Sequence, residues 1–161
     1  MSVSALAMEI KMSQPDGITI SGGEPFLQAE ALGELLSLLR TGMNCDVGVI
    51  VYTGYTLEEL QQLPSAQRLL AYVDLVIDGP YVQALDDGLS LRGSSNQRAI
   101  PLTDRYNKPE ILSLYGQKKR VLQIVRHSYG ISRIGVANEN DINHEVIDNE
   151  PYLRILPENG Y

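Results

Sequence analysis

The stretch Asp16-Gly-Ile-Thr-Ile-Ser-Gly-Gly-Glu-Pro25, continued by Phe26, Leu27 and Gln28, sets the fold of this chain. Ile18 and Ile20 alternate with Thr19 and Ser21, the period of a short strand with one buried face. Gly22 and Gly23 interrupt it. Without side chains they leave the main chain open to a ligand and free to take positive φ. Glu24 places a charge at that spot, and Pro25 suits the first turn of a helix. The order is therefore strand, bare turn, acid, helix start. In an open α/β sheet it lies at the carboxyl edge of the strands, where ligands bind. By itself the stretch reads equally well as a tight βα corner with a solvated glutamate.

Outward from this stretch, helices and strands alternate. Residues 3–12 carry a helical stripe of Leu6, Met8 and Ile10, and Gln14-Pro-Asp-Gly17 turns the chain into the strand. Leu32, Leu35, Leu36 and Leu39 follow the i, i+3, i+4, i+7 spacing, which predicts a helix over 26–39 with one leucine face. Asp46 to Tyr52 is a nearly continuous β-branched run, suited to a parallel strand covered on both sides. Thr56-Leu-Glu-Glu59 has the form of a capping box. Short helices follow, and residues 73–77 form a third strand that Asp78-Gly-Pro-Tyr81 breaks. Such short connections predict a mostly parallel sheet with right-handed crossovers. Its strands end in Ser21-Gly-Gly23, Tyr52-Thr-Gly54 and Asp78-Gly79, three turns that border a ligand groove along one edge.

Residues 89–92 read as extended, Gly93 to Arg98 as a polar loop and 99–102 as a strand. From Thr103 the character changes to a polar segment, a short helix over 109–114 and the basic Lys118-Lys-Arg120. Residues 121–125 and 131–136 flank His127-Ser-Tyr-Gly130 and read as a hairpin; 146–147 and 153–156 are edge pieces in an acidic tail. The expected division is 1–102 as the main unit and 103–161 as a small β-rich extension packed on it. A net charge of -7 argues against nucleic acid or an acidic membrane surface as partner. The single cysteine, Cys45, excludes a disulfide framework and points to a reducing compartment. With neither a cationic leader nor a membrane-length apolar run, the expected location is cytoplasmic.

Four stretches occur in register: Gly17-Ile-Thr-Ile-Ser-Gly-Gly-Glu-Pro-Phe26, Tyr52-Thr-Gly-Tyr-Thr-Leu-Glu-Glu-Leu60, Asp74-Leu-Val-Ile-Asp-Gly79 and Leu91-Arg-Gly-Ser-Ser-Asn-Gln97. Together they closely resemble the radical-SAM activating enzymes of the anaerobic ribonucleotide reductase activator type, over roughly residues 1–105. The resemblance implies a partial (β/α) barrel that binds S-adenosylmethionine beside a [4Fe-4S] cluster. It implies cleavage of the sulfonium by a cluster electron, giving a 5′-deoxyadenosyl radical that takes hydrogen from a glycine of a partner glycyl-radical enzyme. Gly22, Gly23, Glu24 and Pro25 match the segment that holds the cofactor's methionine ammonium. Thr53 and Gly54 match a turn near its methionine or ribose part. Arg92, Ser94, Ser95, Asn96 and Gln97 match a loop on the same side, from which Ser94 and Asn96 are taken as cofactor-binding.

The family's cluster is held by three cysteines in a CxxxCxxC loop upstream of the Gly-Gly-Glu-Pro strand, and this chain begins in or near the helix between them. Three thiolates leave one iron open for the cofactor, and Cys45, expected at the opposite sheet edge, does not replace them. The expectation is an N-terminally truncated activase, inactive alone; the alternative is a non-catalytic paralogue that binds S-adenosylmethionine or a partner. A third reading is an unrelated α/β domain with coincidental motifs. An uncovered parallel edge would lower stability or favour self-association. His127 and His144 read as surface residues without a metal partner. Ser94 and Ser95 have no adjacent His-Asp pair to make a nucleophile. Tyr52 and Tyr55 either line the groove or pack in the core.

Overall fold

A computed structural model describes residues 1–89, 91–107 and 109 in full, and the backbone of 122–127, 130–134 and 144–147. Helix α1, Val3–Ser13, starts at Ser2, whose hydroxyl accepts from the Ala5 N–H at 3.2 Å. It ends at Gln14 in the left-handed conformation. Its inward stripe is the buried Ala7 with the partly buried Val3, Leu6 and Ile10. Met8, placed in the stripe on the sequence pattern, is 57% exposed instead, because i, i+3, i+4, i+7 counted from Val3 passes it by.

Strand β1, Gly17–Ile20, turns Ile18 and Ile20 toward the helices and leaves Thr19 exposed. The segment expected as one helix over 26–39 has three parts. A 3₁₀ turn, Pro25–Gln28, leads into α2, Ala29–Ser37, which widens into a π-helical turn, Leu38–Gly42. Leu35, Leu36 and Leu39 are buried, with Leu32 packed against them. Strand β2, Gly48–Tyr52, buries Val49 and Val51. Helix α3, Leu57–Gln62, opens on the expected capping box, with both Thr56–Glu59 bonds formed. A 3₁₀ turn, Pro64–Ala66, and α4, Gln67–Leu70, lead to β3, Leu75–Asp78, in which all four residues are buried. After a 3₁₀ turn at Gln83–Leu85 the chain returns as β4, Arg98–Pro101. Of the extended piece expected over 89–92, Leu89 forms an isolated β-bridge and the described residues 91–92 belong to no strand.

These strands make one sheet in the order β1-β2-β3-β4. The first two pairings are parallel, with Gly17 opposite Gly48 and Ile50 opposite Leu75; β4 runs antiparallel to β3. The sheet is open, with β1 and β4 as its edges, so the α/β class and mostly parallel sheet stand without closure into a barrel. Two buried acids hold it together. Asp74, just before β3, accepts from the Val49 N–H and the Thr103 hydroxyl, each at 2.8 Å, and pairs with Arg40. Asp78, at the end of β3, accepts from the Leu57 N–H at 2.8 Å and pairs with Arg98 of β4. Through Thr103 and Arg105 the chain beyond residue 102 is still tied to this sheet.

A second sheet has the order β6-β5-β7, from β5 (Leu122–His127), β6 (Gly130–Ile134) and β7 (His144–Ile147). The antiparallel β5–β6 pair is the expected hairpin, and β7, parallel to β5, contains the edge piece at 146–147. The helix expected at 109–114, the basic 118–120 and the piece at 153–156 lie outside the described residues, Pro109 apart. Among the described residues no helix is long and apolar enough to cross a membrane.

Candidate functional site

At the carboxyl edge of β1, Gly22 and Gly23 take φ of 86° and 52°. These are left-handed values that glycine adopts without a Cβ penalty. A Cβ built at either would meet no atom within 4 Å, so the turn presents bare main chain to open space. Glu24 follows in extended conformation and caps the 3₁₀ turn, its Oε1 accepting from the Phe26 N–H at 3.0 Å. Pro25 and Phe26 are buried beneath. The same carboxylate reaches the end of β2: Oε1 accepts from the Thr53 hydroxyl at 2.8 Å and Oε2 from the Gly54 N–H at 2.9 Å. Thr53, only 5% exposed, also accepts the Tyr55 N–H on its Oγ1 at 3.2 Å. The two turns singled out in the sequence are thus one hydrogen-bonded unit.

This unit borders a bay of about 170 Å³ that also touches Gly79. Beside it lies a hollow of about 390 Å³, lined further by Thr19, Leu91, Arg92 and Gly93. Ser21, Tyr52, Tyr81 and Gln97 belong to both walls, so the two form one groove. Its larger part has the size of a small-molecule site. Tyr52, which the sequence left between groove and core, lines the groove; its hydroxyl donates to the Leu91 carbonyl at 2.7 Å. Burial raises the pKa of this phenol and keeps it a neutral donor. Tyr55 packs against the core. Arg92 pairs with Asp87 at 2.6 Å, while its buried Nε has no hydrogen-bond partner.

Ser94 and Asn96 act within the loop. Ser94 is fully buried, its hydroxyl accepting from the Val82 N–H at 3.1 Å and donating to Asn96 Oδ1 at 2.7 Å. The Asn96 amide donates to the Pro80 carbonyl at 2.7 Å. Gln97 reinforces this, accepting from the Gly93 N–H and donating to the Gly79 carbonyl, each at 2.8 Å. The loop is therefore fastened to the turn after β3, and neither Ser94 nor Asn96 lines the groove, whereas Gln97 does. Tyr81 and Thr19 also line it without having been singled out. The alternation along β1, which sends Thr19 and Ser21 away from Ile18 and Ile20, was the available signal for Thr19, and for Tyr81 it was its place in the Asp78-Gly-Pro-Tyr81 turn that ends β3.

Cys45 lies at the amino edge, before β2, beside a separate hollow of about 270 Å³ that includes Lys11 and Gln14. No three His, Cys, Asp or Glu side chains among the described residues could hold a metal ion. With a single cysteine in the chain, the donor set present does not fit a [4Fe-4S] cluster, which takes cysteine thiolates.

Residues 2–100 match the family described as the 4Fe-4S single cluster domain, and the chain belongs to that family. All four motif stretches fall within the match, which removes the reading of an unrelated domain. Among individual proteins the chain is similar to the anaerobic ribonucleoside-triphosphate reductase-activating protein of Vibrio cholerae, 41% identical over 83 residues, 50% of this chain and 52% of that protein. The protein of the same name from Enterobacteria phage T4 is 33% identical over 105 residues, 64% of each chain. That of Pasteurella multocida is 40% identical over 84 residues, 50% of this chain and 52% of its own. The chain thus spans 52% to 64% of the length of these relatives. No solved structure matches it.

Proposed function

We propose that this chain is the S-adenosylmethionine-binding part of a radical-SAM activating protein whose partner is an anaerobic ribonucleotide reductase, a glycyl-radical enzyme. In this reading the open sheet is one arc of a partial (β/α) barrel, and residues 103–161 are an extension packed on the same domain. The observation that carries the proposal is the bare Gly22-Gly23 turn, held to the Thr53-Gly54 turn at the mouth of the groove. A cationic amine suits that turn: main-chain carbonyls can approach it without side chains between, and Glu24 adds negative potential. Pro25, buried beneath, fixes the direction in which the chain leaves. When bound, the cofactor supplies a sulfonium, the source of radical chemistry in such activators. The chain's own part is to bind and orient it. The resident side chains do not fit the iron-sulfur cluster; the second reading is a module that binds the same ligand without catalysis.

Calorimetric titration with S-adenosylmethionine tests the shared step. Saturable binding that weakens about five- to 150-fold in Glu24→Ala is the expected result, the effect of losing about one to three kcal/mol of hydrogen bonding. Absence of binding in the folded wild-type chain removes both readings in their S-adenosylmethionine form.

A further inference from the structure

We infer that Glu24 is a positioning residue of this site, acting through Thr53 and the main chain rather than by meeting the ligand's amine itself; the inference rests on the S-adenosylmethionine reading and deepens it. An ionised carboxylate offers about four acceptor positions. Three are engaged, by the Phe26 N–H at 3.0 Å, the Thr53 hydroxyl at 2.8 Å and the Gly54 N–H at 2.9 Å. The donors come from two chain segments, the exit of the β1 turn and the end of β2, so the carboxylate bolts one to the other. Thr53 is committed as well. Its single proton goes to Glu24, its oxygen accepts from Tyr55, and it is almost wholly buried.

What this bolt leaves free is the main chain of Gly22 and Gly23. Both are left-handed and face open space. A turn with that much freedom is a poor ligand site unless something fixes it, since each glycine would lose its conformational entropy on binding. Glu24 supplies the fixing from the residue immediately after the turn. The amine is then met by carbonyl dipoles, and the glutamate determines where they stand.

The test is a double-mutant cycle with S-adenosylmethionine on Glu24→Gln, Thr53→Val and the pair, with Thr53→Ser as the conservative variant and melting temperature as the check of folding. Glutamine keeps an oxygen for Phe26 and Thr53 but turns an amide N–H₂ against the Gly54 N–H. Thr53→Val removes the hydroxyl and no charge. Positioning predicts that each single change weakens binding about tenfold, that the double variant is no weaker than either, and that Thr53→Ser binds as wild type. Wild-type affinity in Thr53→Val, or additive losses, would overturn it. Hydrogen exchange supplies an arm that needs no ligand. Faster exchange confined to residues 21–28 and 53–55 in both Glu24→Gln and Thr53→Val supports the bolt, and unchanged rates in Thr53→Val sink it. If Thr53→Val does not fold, Thr53→Ala takes its place in both arms. Failure of the wild-type chain to bind S-adenosylmethionine counts against the ligand reading alone, because the exchange arm still decides the role of Glu24.

Discussion

Asp74 is 3% exposed and still carries a carboxylate. A buried charge persists only when it is paired and hydrogen-bonded, and here the Val49 N–H, the Thr103 hydroxyl and the Arg40 guanidinium surround it. Asp74→Ala leaves the Val49 N–H and the Thr103 hydroxyl without this acceptor and Arg40 with the Val47 carbonyl, at 2.9 Å, in place of a carboxylate. The expected loss is about 3–5 kcal/mol of unfolding free energy, read from the urea midpoint at unchanged slope. Asp46, 88% exposed in its pair with Arg105, sets the contrast: Asp46→Ala costs less than about 1 kcal/mol. The same distinction between buried and open polar groups explains what could be read of the site. Gly22, Gly23, Glu24, Thr53 and Gly54 stood out because a bare turn and a strand-end turn each leave a local mark. Ser94 and Asn96 stood out through the family resemblance of their loop, with no local mark of which side chains face a ligand. A loop of small polar residues serves equally to bond its own backbone or to meet a ligand, and in this loop those two side chains bond to neighbouring main chain and to each other.

The capping box at Thr56 was legible in four letters because its donors and acceptors lie within one turn. Helix α2 was legible only as a leucine face. Its 3₁₀ beginning depends on the Glu24 side chain reaching the Phe26 N–H. Its π-helical end depends on the Met43 N–H bonding the Leu38 carbonyl at 2.8 Å, one residue further back than in an α-helix. Neither changes the hydrophobic period. Closure of the sheet was beyond reach for a related reason, since strand pairing at the edges leaves no signature in the strands themselves. The capping box carries its own pH dependence. The Thr56 N–H bonded to Glu59 holds that carboxyl below its ordinary value, and the Arg98 bond does the same for Glu58. For an acid lowered in the folded state, the stabilisation is present above the unfolded pKa and is lost as pH falls through the folded one. The melting temperature should therefore drop below about pH 4.5. Glu59→Gln, which keeps a capping-box side chain without its titration, should show a shallower fall. An equal slope in both proteins contradicts this assignment.

Across the whole molecule, two opposing tendencies meet at β1. Among the described residues the strand pairs with β2 alone, so its outer side offers N–H and C=O groups to another chain. Against this stands a net charge of -7, which makes two copies repel each other. Charge repulsion between exposed groups is screened within about 8 Å at physiological salt, whereas strand pairing acts at contact and is screened far less. Association through this edge should consequently be weak at low ionic strength and grow as salt is added, the reverse of what a salt-bridged interface does. We expect sedimentation velocity to show the chain moving from monomer to larger species as protein and salt concentrations rise together. Thr19→Lys, which sets a charge on the exposed side chain of the edge strand, should hold the chain monomeric under the same conditions, with its melting transition retained. A wild-type chain that stays monomeric and melts cooperatively at every salt concentration would show that the β1 edge is already protected.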